Sequence, residues 1–226
     1  MSKILIVIGG NSTLSQALLE NTETRQMYYQ YILFSTQPLR KNRKFILATD
    51  LVQLYNGTQD LITKIKIILT NNHEAKATIV FAATPSDKNL YSSSKIMKNA
   101  IESVISQTLM KSEEHVKYYI IGSSLAVVPM LNNSHYKRIK RLELDLFSLQ
   151  SATNHSTKYV MVPPIKPALG MLANLFSTSL DEMAVQLNQS FAQNGSDQKY
   201  LIIGNKFTKF VTHIFLFHYL LTRGKT

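Results

Sequence analysis

The stretch ILIVIGGNSTLS at residues 4–15 decides the fold expected for this chain. Its apolar run Ile4–Ile8 predicts a strand buried on both faces, and the glycine pair after it marks a tight turn. The polar residues NST at 11–13 are good helix caps, and apolar positions recur at helical spacing from Leu14 onward. The stretch therefore predicts a strand, a turn and a helix whose N-terminus favours a phosphate.

The same alternation of apolar strands and amphipathic helices continues along the chain. This alternation is typical of a parallel sheet covered on both sides, so we expect an α/β fold, a doubly wound parallel sheet with helices on both faces. Residues 1–205 are expected to form one domain, and residues 206–226 a basic, apolar C-terminal extension of it. The predicted strands are 4–8, 31–34, 44–48, 78–83, 118–121, 159–162 and 200–203, and the predicted helices after the first are 51–70, 95–110, 134–150 and 179–193.

Composition excludes several classes of protein. Of 226 residues, 45% are hydrophobic and 17% charged, so the chain can bury a sizeable core and is not a disordered tail. It has no cysteine, which excludes disulfides and thiolate zinc sites and suits a cytoplasmic location. Its start predicts neither a signal peptide nor a membrane span. No metal site is expected, because the six histidines form no ligand motif. The sequence also contains neither the GxSxG motif of a hydrolase nor a P-loop motif.

The net charge of +11 is concentrated in two stretches that contain no acid. Residues 24–49 and residues 198–226 each carry five lysines and arginines. A nucleic-acid-binding surface would spread its charge more evenly, so the pattern does not favour nucleic acid as a partner. It indicates a local anion site in the first stretch and a basic surface segment in the second.

Tyr136 and Lys140 are four residues apart in a predicted helix, which places them on one face. A nearby ammonium favours the phenolate, and so lowers the pKa of a tyrosine towards the range of a general acid or base. Ser123 and Ser124 end the preceding strand, where a hydroxyl can face the start of this helix and donate to a substrate oxygen. A tyrosine and a lysine at this spacing also occur by chance, so the pair alone does not define a site.

In their order, these motifs resemble the short-chain dehydrogenase/reductase family over essentially the whole chain. That family has a glycine-rich turn after the first strand, an Asp closing the third, a small-residue motif closing the fourth, a Ser closing the fifth, and then YxxxK. The resemblance implies a Rossmann-like fold and hydride transfer between a nicotinamide dinucleotide and a carbonyl or alcohol substrate. The matching segments are GGNSTLS at 9–15, Asp50 with Leu51, FAAT at 81–84, GSS at 122–124, Tyr136 with Lys140, and PPI at 163–165.

The resemblance also implies roles for individual residues. Tyr136 would exchange a proton with the substrate oxygen, and Lys140 would hold the nicotinamide ribose and lower the tyrosine's pKa. Ser124 would orient the carbonyl, with Ser123 as the alternative, and Asn99 is the candidate for the family's fourth catalytic residue. The residues matched to cofactor binding are Gly9, Asn11, Ser12, Thr13, Leu14, Arg40, Asp50, Leu51, Ala82, Ala83, Tyr136, Lys140 and Ile165.

Several positions depart from the family pattern. The family turn reads GxxxGxG, but Thr13 and Ser15 replace its second and third glycines. The second glycine lets the backbone approach the pyrophosphate, and a β-branched threonine obstructs that approach. Phe81 and Ala82 replace asparagines after the fourth strand, and Pro164 stands where the family has glycine. These departures bear on cofactor affinity rather than fold. They motivate an alternative function, a nucleotide-sensing or interaction protein without catalysis.

The turn after the second strand favours NADP(H) over NAD(H). An acid at this place selects NAD, and a basic residue accommodates the 2′-phosphate of NADP. Ser35, Thr36 and Gln37 occupy the turn, and no acid is near in the sequence. Arg40 is the candidate for the phosphate contact, with a solvated basic loop as the alternative.

The segment 206–226 carries many large apolar residues between basic ends and is too short to span a bilayer. Three interpretations stay open: a core or substrate-lid element, an oligomer contact, and an interfacial helix that makes a peripheral contact with anionic membrane lipid. The loops 125–133 and 166–178, which wall the pocket in the family, are largely apolar and favour a small apolar carbonyl or alcohol substrate. By analogy with the family we expect a homodimer or homotetramer.

Overall fold

A seven-stranded sheet organises the chain, with strand order β3-β2-β1-β4-β5-β6-β7 and every neighbouring pair parallel. The order reverses between β1 and β4, which is the topology of a doubly wound α/β fold and confirms the predicted fold class. The computed structural model describes residues 3–10, 12–38, 52–82, 90–108, 115–129, 135–150, 157–165, 171–192 and 198–223. The strands are β1 Lys3–Ile8, β2 Gln30–Ser35, β3 Val52–Leu54, β4 Lys76–Phe81, β5 Val116–Ser123, β6 Thr157–Val162 and β7 Tyr200–Ile202.

Helices cover both faces of this sheet and divide the core into two layers. One layer lies under α1, α2 and α7, and the other lies under α3, α4, α5, α6 and α8. Alternate residues of each strand enter opposite layers, as the period of two in a strand requires. The helices are α1 Thr13–Glu20, α2 Thr22–Met27, α3 Gly57–Asn71, α4 Leu90–Thr108, α5 His135–Gln150, α6 Met171–Phe176, α7 Leu180–Ala192 and α8 Lys206–Arg223.

The first strand, turn and helix form as the sequence predicts. β1 lies between β2 and β4, and its residues Ile4–Ile8 are buried because both faces of this central strand are covered by helices. Ser12 caps α1, since its hydroxyl accepts a hydrogen bond from the N–H of Ser15 at 3.1 Å. The helix N-terminus is thereby fixed at the carboxyl end of β1, in the middle of the sheet.

The region after the second strand differs from the prediction. A helix was expected over 51–70, but Val52–Leu54 form β3 and α3 begins only at Gly57. A three-residue edge strand with partly exposed side chains is too short to show an apolar pattern distinct from that of the following helix. The third strand expected at 44–48 lies outside the described residues.

This shift also bears on a predicted motif. Asp50 and Leu51 were matched to the carboxyl end of the third strand, but in the sequence they precede β3. The residues that follow β3 are Tyr55 and Asn56, and the N–H of Tyr55 donates to the carbonyl of Ser35 at 3.1 Å. The contacts predicted for Asp50 and Leu51 themselves lie outside the described residues.

The C-terminal helix α8 packs its inner face against the rest of the core. Tyr219 is buried, its hydroxyl donates to the carboxylate of Asp145, and the guanidinium of Arg141 lies 4.0 Å from the centre of its ring. At the other end of the helix, the hydroxyl of Thr208 donates to the carbonyl of Phe176 at 3.0 Å. These contacts hold α8 against α5 and α6.

Candidate active site

A cleft of about 320 Å³ opens at the carboxyl edge of the sheet, where β1, β4, β5 and β6 end. It lies beside the reversal of strand order between β1 and β4, which is where doubly wound sheets bind ligands. The start of α1, which follows β1, forms one wall of the cleft, and α5 forms the opposite wall. The lining residues are Ser12, Thr13, Leu14, Ala82, Ile121, Gly122, Ser123, Leu125, Tyr136, Lys140, Val162, Pro163, Pro164, Ile165 and Met183.

Backbone geometry builds the turn after β1. Gly9 has a φ of 100°, in the left-handed region that glycine adopts without strain. The N–H groups of Gly9 and Gly10 donate to the carbonyl of Phe34 at 2.9 and 3.0 Å, which ties the turn to the end of β2. The turn then leads into α1, whose first residues line the cleft. The N–H groups of a helix start in this position favour an anion such as a phosphate.

The two positions where this turn lacks a family glycine behave differently. Ser15 is fully buried, and its hydroxyl donates to the carbonyl of Gly9 at 2.9 Å and hydrogen-bonds the side chain of Ser12. It is directed beneath the turn and is not among the lining residues of the cleft. Thr13, in contrast, lines the cleft. Of the two residues, only Thr13 is therefore placed to bear on a ligand in the cleft.

The helix α5 brings Tyr136 and Lys140 to the cleft on one face, as their spacing predicts. The Nζ atom of Lys140 lies 5.7 Å from the centre of the Tyr136 ring. Lys140 is 1% exposed and donates to the carbonyl of Ile121 at 3.3 Å, whereas Tyr136 keeps 40% of its surface exposed. The lysine is thus held inside the protein, beside a tyrosine at the mouth of the cleft.

Glu143 is a second charged residue beside this site, paired with Lys140, and sequence reasoning missed it. Its Oε2 accepts a hydrogen bond from the Nζ of Lys140 at 2.8 Å, and the lysine and glutamate side chains are 2% and 8% exposed. Its Oε1 is buried and has no hydrogen-bond partner among the described residues. Burial raises the pKa of Glu143, and the ammonium opposes that shift. The only sequence signal is the i,i+3 spacing of acid and base, which is too common on helix surfaces to indicate a buried pair.

The pKa of Tyr136 is raised above its usual value, chiefly because burial of the hydroxyl disfavours the phenolate. Lys140 lowers this pKa and Glu143 raises it, while a hydrogen bond with Ser123 lowers it. The sequence predicted that the lysine brings the tyrosine's pKa down towards the working range. The lysine does act in that direction, but burial outweighs it, so the phenol stays protonated at neutral pH.

The structure brings Ser123 to the cleft rather than Ser124, the residue that the family resemblance favoured. Ser123 is the last residue of β5, lines the cleft, and interacts with the phenol of Tyr136. Ser124 begins a short 3-10 turn, is fully buried, and its hydroxyl has no hydrogen-bond partner in the described part of the chain. A shift of one residue at a strand end reverses the direction of a side chain, so the resemblance of a Ser-Ser pair to the family motif does not decide between the two hydroxyls.

Gly122 and Tyr159 support the lysine from below, and neither role was predicted. A Cβ atom on Gly122 would lie 2.1 Å from the ring of Tyr159, so a larger residue does not fit without moving that ring. Tyr159 is fully buried, and its hydroxyl donates to the main-chain carbonyl of Lys140 at 3.5 Å. The glycine therefore lets an aromatic ring pack directly beneath the turn of α5 that carries Lys140.

The structure places some of the remaining predicted residues at the cleft and not others. Ala82 and Ile165 line it, as does Leu14. Asn99 is exposed on α4 and is not among the lining residues, so the structure does not bring it to this site. The contacts predicted for Asn11, Arg40, Asp50, Leu51 and Ala83 fall outside the described residues.

Comparison with solved structures identifies the fold. A short-chain dehydrogenase from Streptomyces avermitilis matches with a TM-score of 0.68 at 12% identity, over 99% of this chain and 96% of that one. A short chain dehydrogenase from Burkholderia cenocepacia in complex with NADP matches at 0.62 and 10% identity, over 93% and 91%. An oxidoreductase of the short-chain dehydrogenase/reductase family from Brucella ovis, with a partially ordered NAD, matches at 0.61 and 13%, over 90% and 100%.

No family model matches the sequence, and neither does any curated protein. The identities to the solved structures are low, and the likeness to them is one of fold. The chain therefore has the fold of the short-chain dehydrogenases/reductases, as its motif order predicted.

Proposed function

We propose that this protein is an NADP(H)-dependent oxidoreductase that transfers a hydride between nicotinamide and a carbonyl or alcohol substrate. One observation carries the proposal: Tyr136, Lys140 and Ser123 line the same cleft as the N-terminus of α1. A phenol, an ammonium and a second hydroxyl thus lie beside a helix start that favours phosphate. The shared fold with solved dehydrogenase structures supports the same proposal.

The residues around the cleft fit a dinucleotide. The left-handed Gly9 and the inward-turned hydroxyl of Ser15 keep the turn after β1 narrow, so Ser12 and the first N–H groups of α1 would hold the pyrophosphate. Lys140 uses two of its three donors on described partners, and the third would hold the ribose. Ala82 would border the ribose. When bound, the cofactor supplies the hydride, or accepts it in the opposite direction.

Tyr136 is the proton donor in the reduction direction. Because burial raises the pKa of its phenol, the hydroxyl is protonated at neutral pH and can donate to a substrate oxygen. The hydroxyl of Ser123, which donates to the carbonyl of Val162 at 3.4 Å, would turn to donate a second hydrogen bond to the substrate oxygen and so polarise the carbonyl. Oxidation needs the phenolate, so its rate should rise with pH over a range in which reduction is already at its plateau.

The proposed preference for NADP(H) is based on the residues at the carboxyl end of β2. Residues 35–38 contain no acid that would repel a 2′-phosphate, and Ser35 itself is buried. Arg40 remains the proposed phosphate contact. Fluorescence titrations with NADPH and NADH test this preference, and NADH binding as tight as NADPH binding would rule it out.

The walls of the cleft favour a small apolar substrate. Leu125, Val162, Ile165 and Met183 line the cleft, and none of them offers a charged or hydrogen-bonding side chain. Steady-state rates with an aldehyde series of increasing polarity test this, with kcat/KM expected to fall as polarity rises.

A homodimer or homotetramer is proposed by analogy with the family, and a cytoplasmic location is proposed from the lack of cysteine. Light scattering and cell fractionation would check them.

A second function, nucleotide binding without turnover, is favoured by two observations. Thr13 stands in the wall where the backbone should approach the pyrophosphate, and Glu143 pairs directly with the lysine that the chemistry needs. A single experiment distinguishes the two functions. Oxidation of NADPH in the presence of a panel of aldehydes and ketones, lost in Tyr136→Phe, supports the oxidoreductase. Tight NADPH binding with no turnover on any member of the panel supports the sensor.

A further inference from the structure

The outer face of α8 carries large apolar side chains that the core does not use. Phe207, Phe210, Ile214, Phe217 and Leu221 lie within an arc of about 80° around the helix, because their spacings of three and four residues follow its turns. These five residues, here called the α8 stripe, are each between 50% and 66% exposed. A contiguous row of large exposed apolar side chains on a protein surface indicates an interaction site.

The exposure of the α8 stripe does not result from poor packing of the helix. On the opposite side of α8, Thr208, Thr212, Leu216 and Tyr219 are all buried against the core. The helix is therefore anchored with its apolar stripe turned outward. A core or lid role explains the inner face only, which leaves an oligomer contact and a lipid contact for the stripe.

Charge distinguishes these two occupants. Lys206 and Lys209 lie in the first turn of α8, Arg223 ends the helix, and the sequence has no acid after Asp197. If a second copy packed its own stripe here, parallel or antiparallel, cations would meet cations with no carboxylate of α8 between them. An anionic lipid surface provides the opposite charge for the same residues. Charge complementarity therefore favours lipid.

The geometry suits a helix that lies on a membrane. In the described part of the chain no helix is long and apolar enough to cross a bilayer. The stripe continues onto α6, where Leu175 is exposed and its carbonyl accepts a hydrogen bond from Asn205 at 2.9 Å. The rings of Phe176 and Phe207, 5.1 Å apart, join the two helices.

We propose that the α8 stripe docks on the surface of an anionic phospholipid bilayer, with α8 in the plane of the interface. The aromatic and aliphatic side chains enter the boundary between headgroups and acyl chains, and the lysines meet the anionic headgroups. This contact is independent of the redox chemistry proposed above. It requires the folded full chain, since the inner face of α8 belongs to the core.

Vesicle flotation with the full-length protein tests the proposal. Vesicles of three parts phosphatidylcholine to one part phosphatidylglycerol should bind the protein about tenfold more strongly than pure phosphatidylcholine, and high salt should remove most of that difference. Equal binding to both vesicles, or no binding to either, overturns the proposal.

Two sets of variants locate the contact on α8. Phe210→Gln with Phe217→Gln changes the two most exposed residues of the stripe and should reduce binding about tenfold. Lys206→Glu with Lys209→Glu should abolish the preference for phosphatidylglycerol. The matched control Ile67→Gln, on α3 and 53% exposed, should bind as the wild type does. Circular dichroism establishes that each variant is folded.

Light scattering on the same samples tests whether a second copy of the chain covers the α8 stripe instead of lipid. If the wild type is an oligomer that the paired phenylalanine variant dissociates, and neither protein binds vesicles, then a second copy covers the stripe and the lipid proposal is wrong. Folded phenylalanine variants that float as well as the wild type contradict it equally.

Discussion

The two walls of the cleft depend on the sequence in different ways. The turn after β1 works through its backbone, and it tolerates Ser15 because that hydroxyl fits beneath the turn. The wall formed by α5 depends on the side chains of Tyr136 and Lys140, and the buried Glu143 pairs with that lysine. Under the proposed function, changes in the first wall should alter cofactor binding, and loss of Tyr136 in the second wall should alter turnover.

The largest effect is expected on the α5 wall. Tyr136→Phe removes the proton donor and should lower kcat about 10²–10⁴-fold, while the Kd for NADPH stays near the wild-type value. Stopped-flow turnover and fluorescence titration measure the two quantities. Tyr29→Phe, at an exposed tyrosine outside the cleft, is the matched control. Full turnover in Tyr136→Phe would show that the proton comes from elsewhere.

The buried pair gives the next largest effect, on stability. Lys140→Met leaves the Glu143 carboxylate buried and unpaired, which should reduce the free energy of unfolding by about 3–5 kcal/mol in urea titrations. Replacing both partners, Lys140→Met with Glu143→Leu, should recover most of that loss because no buried charge remains. A single variant as stable as the wild type would mean that water reaches the pair.

Ser123→Ala and Ser124→Ala separate two neighbouring hydroxyls. Ser123 interacts with Tyr136, so its loss should reduce kcat/KM about 100-fold. Ser124 has a buried hydroxyl with no described hydrogen-bond partner, so its loss should leave kcat/KM within about twofold of the wild type. The opposite ranking would favour Ser124, the residue that the family resemblance implied.

On the turn wall the effects are smaller and concern binding. Thr13→Gly should tighten NADPH binding a few-fold, because it removes a side chain from the wall of the cleft. Ser15→Gly should leave the Kd unchanged but cost about 1 kcal/mol of stability, since buried hydrogen bonds are lost. Isothermal titration and urea unfolding measure both. Weaker binding in Thr13→Gly would show that the threonine contributes a contact and does not obstruct.

The smallest effect is a shift in pH dependence. Glu143 raises the pKa of Tyr136, so Glu143→Gln should lower it. Reduction needs the protonated phenol and is lost as pH rises through that pKa, so the high-pH limb of its rate profile should move to lower pH. Rate profiles for wild type and variant measure this. A limb that moves to higher pH would mean that the carboxylate does not influence Tyr136 as described.

The sequence predicted the features that depend on long or spaced patterns. The strand at Ile4–Ile8, its glycine turn, and the pairing of Tyr136 with Lys140 on one helix face all follow from periodicity, and the structure has them. The strand Val52–Leu54 was missed because three residues at a sheet edge carry too little pattern.

Two features of the site depend on tertiary structure alone. Whether Ser123 or Ser124 faces the cleft is decided where β5 ends, by a single residue of register. Glu143 looks like an ordinary surface partner of Lys140 in sequence, and only the packing of α5 against the sheet buries it. Neither local spacing nor composition contains that information.

The central claim is that the cleft between α1 and α5 binds a nicotinamide dinucleotide. Titration of the full-length protein with NADPH, followed by nicotinamide fluorescence, tests it most directly because it needs no knowledge of the substrate. We predict saturable binding, with tighter binding in Thr13→Gly. No binding at millimolar NADPH, in either the wild type or Thr13→Gly, would contradict the claim.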